Sequence, residues 1–433
     1  MHRPSTPIML TILITLLVPT LLFSLAACNA PAGQAPTVSN NNTDKENIIA
    51  QVLRDENTNG WDEKYQGILI NWRRDNTSRV NCDSNNCDKR GHSTRHDPAN
   101  DLRNLENLYW YRHRHPNDTS LDGYIKRILP GVKQQWGNTT LGKGWIYYIL
   151  LRLAMYSNEP AYWNNAAQHW AQVQYQSIDP RRGVHHGPLD TVAGVGSVHL
   201  QDAYRVDHEL EIGTALVDAG KRYHHPEWIS AGLNMVDIVT REAFSPTYHL
   251  FSRIYLISDP RYGEKKIYDY QARMGEQGQE IEALVRSGIY TGTTSFLNLA
   301  SQMLDALQSQ PIHDRTNGGF YFSILLGPYQ GHGAGYVSHK EKETRQLHVL
   351  AAVHLANPVR GNRWSALEAE LLGLATTPNR LFLPPSVPGY PYHLLANWSL
   401  YPCADCEPAP TENWTSAEAD NIALEALQTV LST

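Results

Sequence analysis

Two stretches of this chain crowd carboxylates and amides into the first turns of otherwise apolar segments. They are DHELEIGTALVDAG, from Asp207 to Gly220, and GEQGQEIEALVRSG, from Gly275 to Gly288. Asp207 and Glu211 stand four apart, as do Glu276 and Glu280, and residues at that spacing share one face of a helix. Paired carboxylates are the groups that cleave a glycosidic bond, one protonating the leaving oxygen and the other serving as base or nucleophile. Asp207 with Glu276 or Glu280 is the candidate pair, and Asp202, Glu209 and Glu282 belong to the same supply. Acids in a first turn also stabilise the helix dipole by about 0.3–1 kcal/mol each. Asp207 has a further structural use, as an ion-pair partner of Arg205 or Lys221. Spacing alone does not fix which carboxylates point inward.

His208 and His348 fall in helical segments and are the alternative proton-transfer groups. The glycine-bearing stretch RRGVHHGPLDTVAGVGSVHLQDAYRVDH adds His185, His186 and His199 and is long for a plain connector, so His186 is a substrate-binding candidate. The chain holds 11 Trp and 23 Tyr against 7 Phe. Such amphipathic rings suit the apolar face of a pyranose as well as a core. Tyr321, Tyr329 and Tyr336, in the aromatic loop before KEKETRQLH, are the stacking candidates, while Trp145 and Trp163 read as core. Lys340, Lys342 and Arg345 could hold an acidic sugar or a phosphate, although Glu341 and Glu343 offer internal neutralisation, the favoured reading. Arg345 is kept as a substrate-binding candidate. No metal or cofactor is expected. Segment 83–97 has a calcium-loop rhythm without the terminal glutamate, and no phosphate loop, GxSxG or HExxH occurs.

These residues need a scaffold, and the chain of 433 residues is long enough for a large core. Its net charge of -6 offers no basic field for nucleic acid. His2 and Arg3 precede an apolar run from Ile8 to Phe23 and then LAAC, which resembles the lipobox of bacterial lipoproteins. That resemblance implies a signal peptide over 1–27, a lipid on Cys28, and a lipid-anchored place at a bacterial cell surface or in the periplasm. An ordinary signal peptide or a single anchor helix is the plainer alternative. Residues 28–44 read as a flexible tether and 45–433 as a single domain. In an exported protein, Cys82 with Cys87 and Cys403 with Cys406 read as small disulfide loops, with a zinc site as the rival.

Helical spacing marks segments near 97–113, 120–136, 141–157, 159–176, 201–220, 226–244, 275–288, 292–308, 340–356, 361–376 and 415–431, which is five pairs and a last helix. RWSALEAELLGLA keeps Trp364, Leu367, Leu371 and Leu374 on one stripe, as an outer helix does, whereas LHVLAAVHLA is apolar all round and reads as buried. Alternating buried and amphipathic helices predict two concentric rings. The polar starts of the inner helices then meet at one mouth, overhung by the aromatic loop.

The pattern resembles the six-hairpin glycosidase superfamily, the all-α (α/α)6 toroid. NGGFYFS, the later KETRQLHVLAAVHLA and GQEIEALVRSGIYTG are most similar to glycoside hydrolase family 76 α-mannanases and to the N-acylglucosamine 2-epimerase group. The resemblance implies an enzyme acting on an oligo- or polysaccharide, with α-mannan as a candidate. Family 76 enzymes use two adjacent aspartates, and no Asp-Asp dipeptide occurs here. The epimerase group uses facing inner-helix histidines, which His208 and His348 would supply. The expectation is a monomeric glycoside hydrolase. The alternatives are an epimerase or lyase working through histidine, and a non-catalytic glycan-binding lipoprotein.

Overall fold

The computed structural model describes residues 42–63, 66–69, 71–73, 97–136, 143–179, 183, 203–256, 267–328, 331–383, 389–391, 393–394 and 414–432. All belong to one compact unit, Val38–Thr433. Twelve α-helices dominate it: α1 (Asn42–Thr58), α2 (Pro98–Arg114), α3 (Asp122–Trp136), α4 (Trp145–Tyr156), α5 (Pro160–Gln176), α6 (Val206–Arg222), α7 (Pro226–Ala243), α8 (Met274–Thr291), α9 (Thr294–Ser309), α10 (Leu347–Val359), α11 (Ser365–Thr376) and α12 (Ala417–Leu431).

The even-numbered helices form the inner ring. Each packs on the next, and α12 closes against α2. Their sequences explain this position. Every residue from Ile146 to Leu153 in α4, from Val206 to Gly220 in α6 and from Met274 to Val285 in α8 is buried, so none of these helices has a solvated face. The odd-numbered helices are outer. In α7, Trp228, Gly232, Met235, Val236 and Val239 recur at helical spacing and face the ring, and Phe296, Ala300, Met303, Leu304 and Leu307 do the same in α9. Start signals are local: Asp97 caps α2 by accepting from the Ala99 N–H at 2.9 Å, and Pro98, Pro160 and Pro226 occupy first-turn positions.

The toroid is therefore all-α in architecture, as the sequence predicts, with three differences. The first is α1, which lies against α12 and α2 and supplies the sixth outer helix. It starts at Asn42, inside the segment 28–44 expected to be tether. Its buried face includes Lys45, Glu56 and Asn57, residues that read as solvated in sequence, so only Ile48, Ile49, Val52 and Leu53 signal burial. The second concerns the predicted helix 340–356. Its charged start is instead a strand, Lys342–Glu343, paired with His393–Leu394 and followed by a 3-10 turn, Thr344–Gln346. The third is a set of short antiparallel strands leading into inner helices. Ala203–Arg205 precedes α6, Gln271–Arg273 precedes α8, and Trp414–Ser416 precedes α12. The aromatic loop contributes Ser323–Leu325, which pairs with Gln271–Arg273 on one side and Val337–His339 on the other. This ties the loop to the inner-helix starts, at the end where it was expected.

Cys28, Cys82, Cys87, Cys403, Cys406, His185, His186, His199, Asp202 and Tyr329 lie outside the described residues. Within them, no helix is long and apolar enough to cross a membrane.

Candidate active site

Where the inner helices begin, the ring encloses a polar cavity of about 160 Å³. The starts of all six inner helices converge on it. Asp97, Asn100 and Arg103 come from the start of α2, and Lys143 and Trp145 from the start of α4. Arg205, Asp207, His208 and Glu211 come from the start of α6, Gln279 from α8, Arg345 from the turn leading into α10, and Glu418 from the first turn of α12. A second space of about 20 Å³, shared by Trp145, Glu211 and Gln279, continues to Tyr148, Glu282, Arg286, His348 and Glu425 at the waist of the ring. A larger cavity of about 680 Å³ opens at the opposite end among Leu151, Met155, Ile289 and Leu355. The smaller polar cavity is the better candidate for chemistry, because charge converges there and the larger one has mostly apolar walls.

Glycines bring the walls together. A Cβ on Gly144 would lie 2.3 Å from the Glu211 carbonyl carbon, so only glycine lets the start of α4 press onto α6. A Cβ on Gly275 would meet the Glu343 carboxylate at 2.3 Å, and one on Gly278 the His348 Cβ at 3.0 Å.

Asp207 and Glu211 face this space in different charge states. The Arg205 guanidinium grips Asp207 with two bonds, Nε to Oδ1 at 3.0 Å and Nη2 to Oδ2 at 2.5 Å. Burial pushes the Asp207 carboxyl up, but Arg205, with help from His208 and Arg345, outweighs burial and holds it well below the usual carboxylate range. Glu211 has no such clamp. Burial, then the Asp207 charge, push it up to about 8 against the pull of Arg103, Lys143 and Arg345. At neutral pH this pair thus consists of one ionised and one protonated carboxyl, one turn apart. Glu418 is held low by Arg345, Arg103 and Lys143 despite its burial.

The other candidates fall in several places. Glu276 is buried behind the cavity wall, where its Oε1 accepts from Arg205 at 3.2 Å and from Arg253 at 3.0 Å. Glu280 is buried, and its Oε2 has no hydrogen-bond partner. Burial and the charges of Asp207, Glu276 and Glu211 push it well up. Neither glutamate lines the described cavity, and the acid of α6 that lines it together with Asp207 is Glu211. His208 lines it too, with Nε2 3.9 Å from Asp207 Oδ2. His348 lies deeper at the waist, its Nδ1 2.7 Å from Glu282 Oε2. The two histidines are therefore in adjoining spaces.

Arg345 lines the cavity, donating from Nη2 to Gln279 Oε1 at 2.7 Å and standing 3.6 Å from Glu418. Lys342 is fully buried and pairs with Asp314 at 2.9 Å, a partner from outside the charged run rather than the Glu341 and Glu343 that the sequence offers. Tyr321 is half-buried with Lys342 near its ring, and Tyr336 is exposed and stacked on His332. Neither lines the cavity. The aromatic that does is Trp145, read from sequence as core, whereas Trp163 is fully buried as expected. Arg103, Lys143 and Glu418 escaped sequence reading because each is one charge in a segment whose periodicity says nothing about facing.

No family model and no curated protein matches the sequence. Solved structures do match. One is a D-mannose isomerase, with TM-score 0.62, 11% identity and coverage of 92% of this chain and 99% of that one. A second is an inactive variant of the α-1,6-mannanase GH76A of Salegentibacter sp., in complex with α-1,6-mannotetrose, with TM-score 0.61, 14% identity and coverage of 89% and 98%. A third is the unsaturated glucuronyl hydrolase of Bacillus sp. GL1, with TM-score 0.59, 14% identity and coverage of 89% and 94%. At these identities the likeness is one of fold, and the fold is the six-hairpin (α/α)6 toroid. The mannanase variant has two adjacent aspartates replaced, a pair that this chain lacks.

Proposed function

We propose that this protein is a glycoside hydrolase that acts on an oligosaccharide in the polar cavity, with Glu211 as general acid and Asp207 as the ionised carboxylate. The observation that carries this reading is the split between the two groups: environment drives one carboxyl up to about 8 and its neighbour well down, inside one cavity. Glu211 keeps its proton at neutral pH and gives it to the leaving glycosidic oxygen. Asp207 faces the positive charge that develops at the anomeric carbon. Arg205 takes one lone pair from each Asp207 oxygen and fixes the orientation of the group. Trp145 lines the cavity wall as an amphipathic ring beside the pair. The sugar-acting enzymes among the structures of like fold support the substrate class.

The test is incubation with a glycan panel that includes mannans, with new reducing ends measured. Asp207→Asn and Glu211→Gln should each lower turnover by about 10²–10⁴. Full turnover in both variants rules the pair out.

His208, beside Asp207 in the same cavity, favours a second reading, an isomerase or epimerase of free sugars. Conversion of a monosaccharide to its ketose or epimer, lost in His208→Ala and kept in Glu211→Gln, would select it. The extracytoplasmic, lipid-anchored setting rests on the LAAC segment. Cys28→Ala should release the protein from the membrane fraction.

A further inference from the structure

The cavity walls hold four cations, and they are not alike. Arg205 is committed to Asp207 and Glu276, and Arg345 to Gln279 and Glu418. Arg103 and Lys143 make no ion pair among the described residues. Arg103 is only 4% exposed, yet its Nη1 has no hydrogen-bond partner. A buried charged donor left without a partner is costlier still than a neutral one. The fold nevertheless holds this one in place, with the guanidinium carbon 4.1 Å from the Trp145 ring centroid and Lys143 Nζ 5.9 Å from the same ring. Stacking occupies the face of a guanidinium and leaves its edge free to donate, which is the geometry that receives a planar carboxylate.

We infer that the substrate is an acidic sugar, whose carboxylate is received by Arg103 and Lys143 beside the Asp207 and Glu211 pair. The inference rests on the reading of this cavity as a sugar site and narrows the substrate class to uronates. Arg103 and Lys143 have no carboxylate partner among the described residues, and a neutral mannose unit would give them none. An incoming carboxylate also offsets Arg103 and Lys143, two of the three cations that pull Glu211 down. Substrate binding therefore holds the proton on Glu211 for transfer.

The test is binding of D-glucuronate, D-glucose and D-glucose 6-sulfate to the full protein, read as a shift in Tm and by calorimetry. The expected result is binding of glucuronate with no comparable binding of glucose, weakened about tenfold or more in Lys143→Met and in Arg103→Met. Lys143 is only partly buried, so its variant remains informative should Arg103→Met fail to fold. Equal binding of glucose and glucuronate, unchanged glucuronate binding in Lys143→Met, or preference for the sulfated sugar overturns the inference. The two readings fail separately. Glucuronate binding that needs Lys143, with no glycan cleaved, sinks the hydrolase and keeps the subsite. Cleavage of neutral glycans without uronate binding does the reverse.

Discussion

Asp207 and Glu211 carry the same functional group on one helix, and their different states come from one neighbour, Arg205, which reaches Asp207 twice. The pH dependence follows. A general acid works while protonated, so activity should hold through neutrality and fall as pH rises through about 8, and a pH–rate profile of wild type checks this. Stability carries the same signature. The folded state binds the Glu211 proton more tightly than the unfolded chain does, so stability falls as pH rises from the ordinary carboxylate range to about 8. The loss is on the order of 4 kcal/mol, since each unit is worth about 1.4 kcal/mol. Glu211→Gln has no proton to lose. Thermal melts should show it level with wild type near pH 4 and more stable at pH 8, and a gap that does not widen with pH would contradict the raised Glu211.

At the scale of elements, the α4–α6 seam sets where Glu211 sits. Gly144, the N-cap of α4, has ordinary right-handed backbone angles, so alanine there meets no backbone strain. The obstacle is contact, because a Cβ would fall 2.3–2.5 Å from the Glu211 backbone and Cβ. Gly144→Ala should cost about 1–3 kcal/mol and, by displacing the acid, lower kcat far more than it raises KM. Gly123→Ala in α3, with nothing within 4 Å of its Cβ, is the control and should leave both unchanged. The alternation of buried and amphipathic helices was legible in the sequence because apolar periodicity reports burial directly. Helix α1 was not, because its face toward the ring buries Lys45, Glu56 and Asn57, whose side chains are read as solvated until their packing is known.

Across the whole molecule, the waist of the toroid is held by charge rather than by grease. Arg152 of α4 bonds Glu106 of α2 and, at 2.5 Å, Glu425 of α12, while Arg286 and Glu282 of α8 pair with each other, and Glu282 pairs with His348 of α10. Five of the six inner helices are thus joined through buried ions, with Glu106 pushed by burial up to about 7 even with Arg152 beside it. Arg152→Met leaves two carboxyls buried without their partner and should cost about 3–5 kcal/mol at pH 8. The sign with pH is fixed. Without Arg152 the buried Glu106 carboxyl binds its proton still more tightly, so the deficit shrinks as pH falls toward 5. Melts of the variant at both pH values check it, and an equal deficit at each would assign the loss to packing.

The sequence by itself determined the helices from α2 onward, their alternation into two layers, and the gathering of acids at inner-helix starts, because each of these is written in periodicities of a few residues. It did not determine which acids face the hollow, nor that Arg103, Lys143, Trp145 and Glu211 meet there. Only ring closure decides facing, since a helix buried all round has no stripe to orient it. Charge state was likewise left to the tertiary structure, because a carboxyl answers to burial and to charges within a few ångströms, and for Glu211 those come from α2, α4 and the turn before α10.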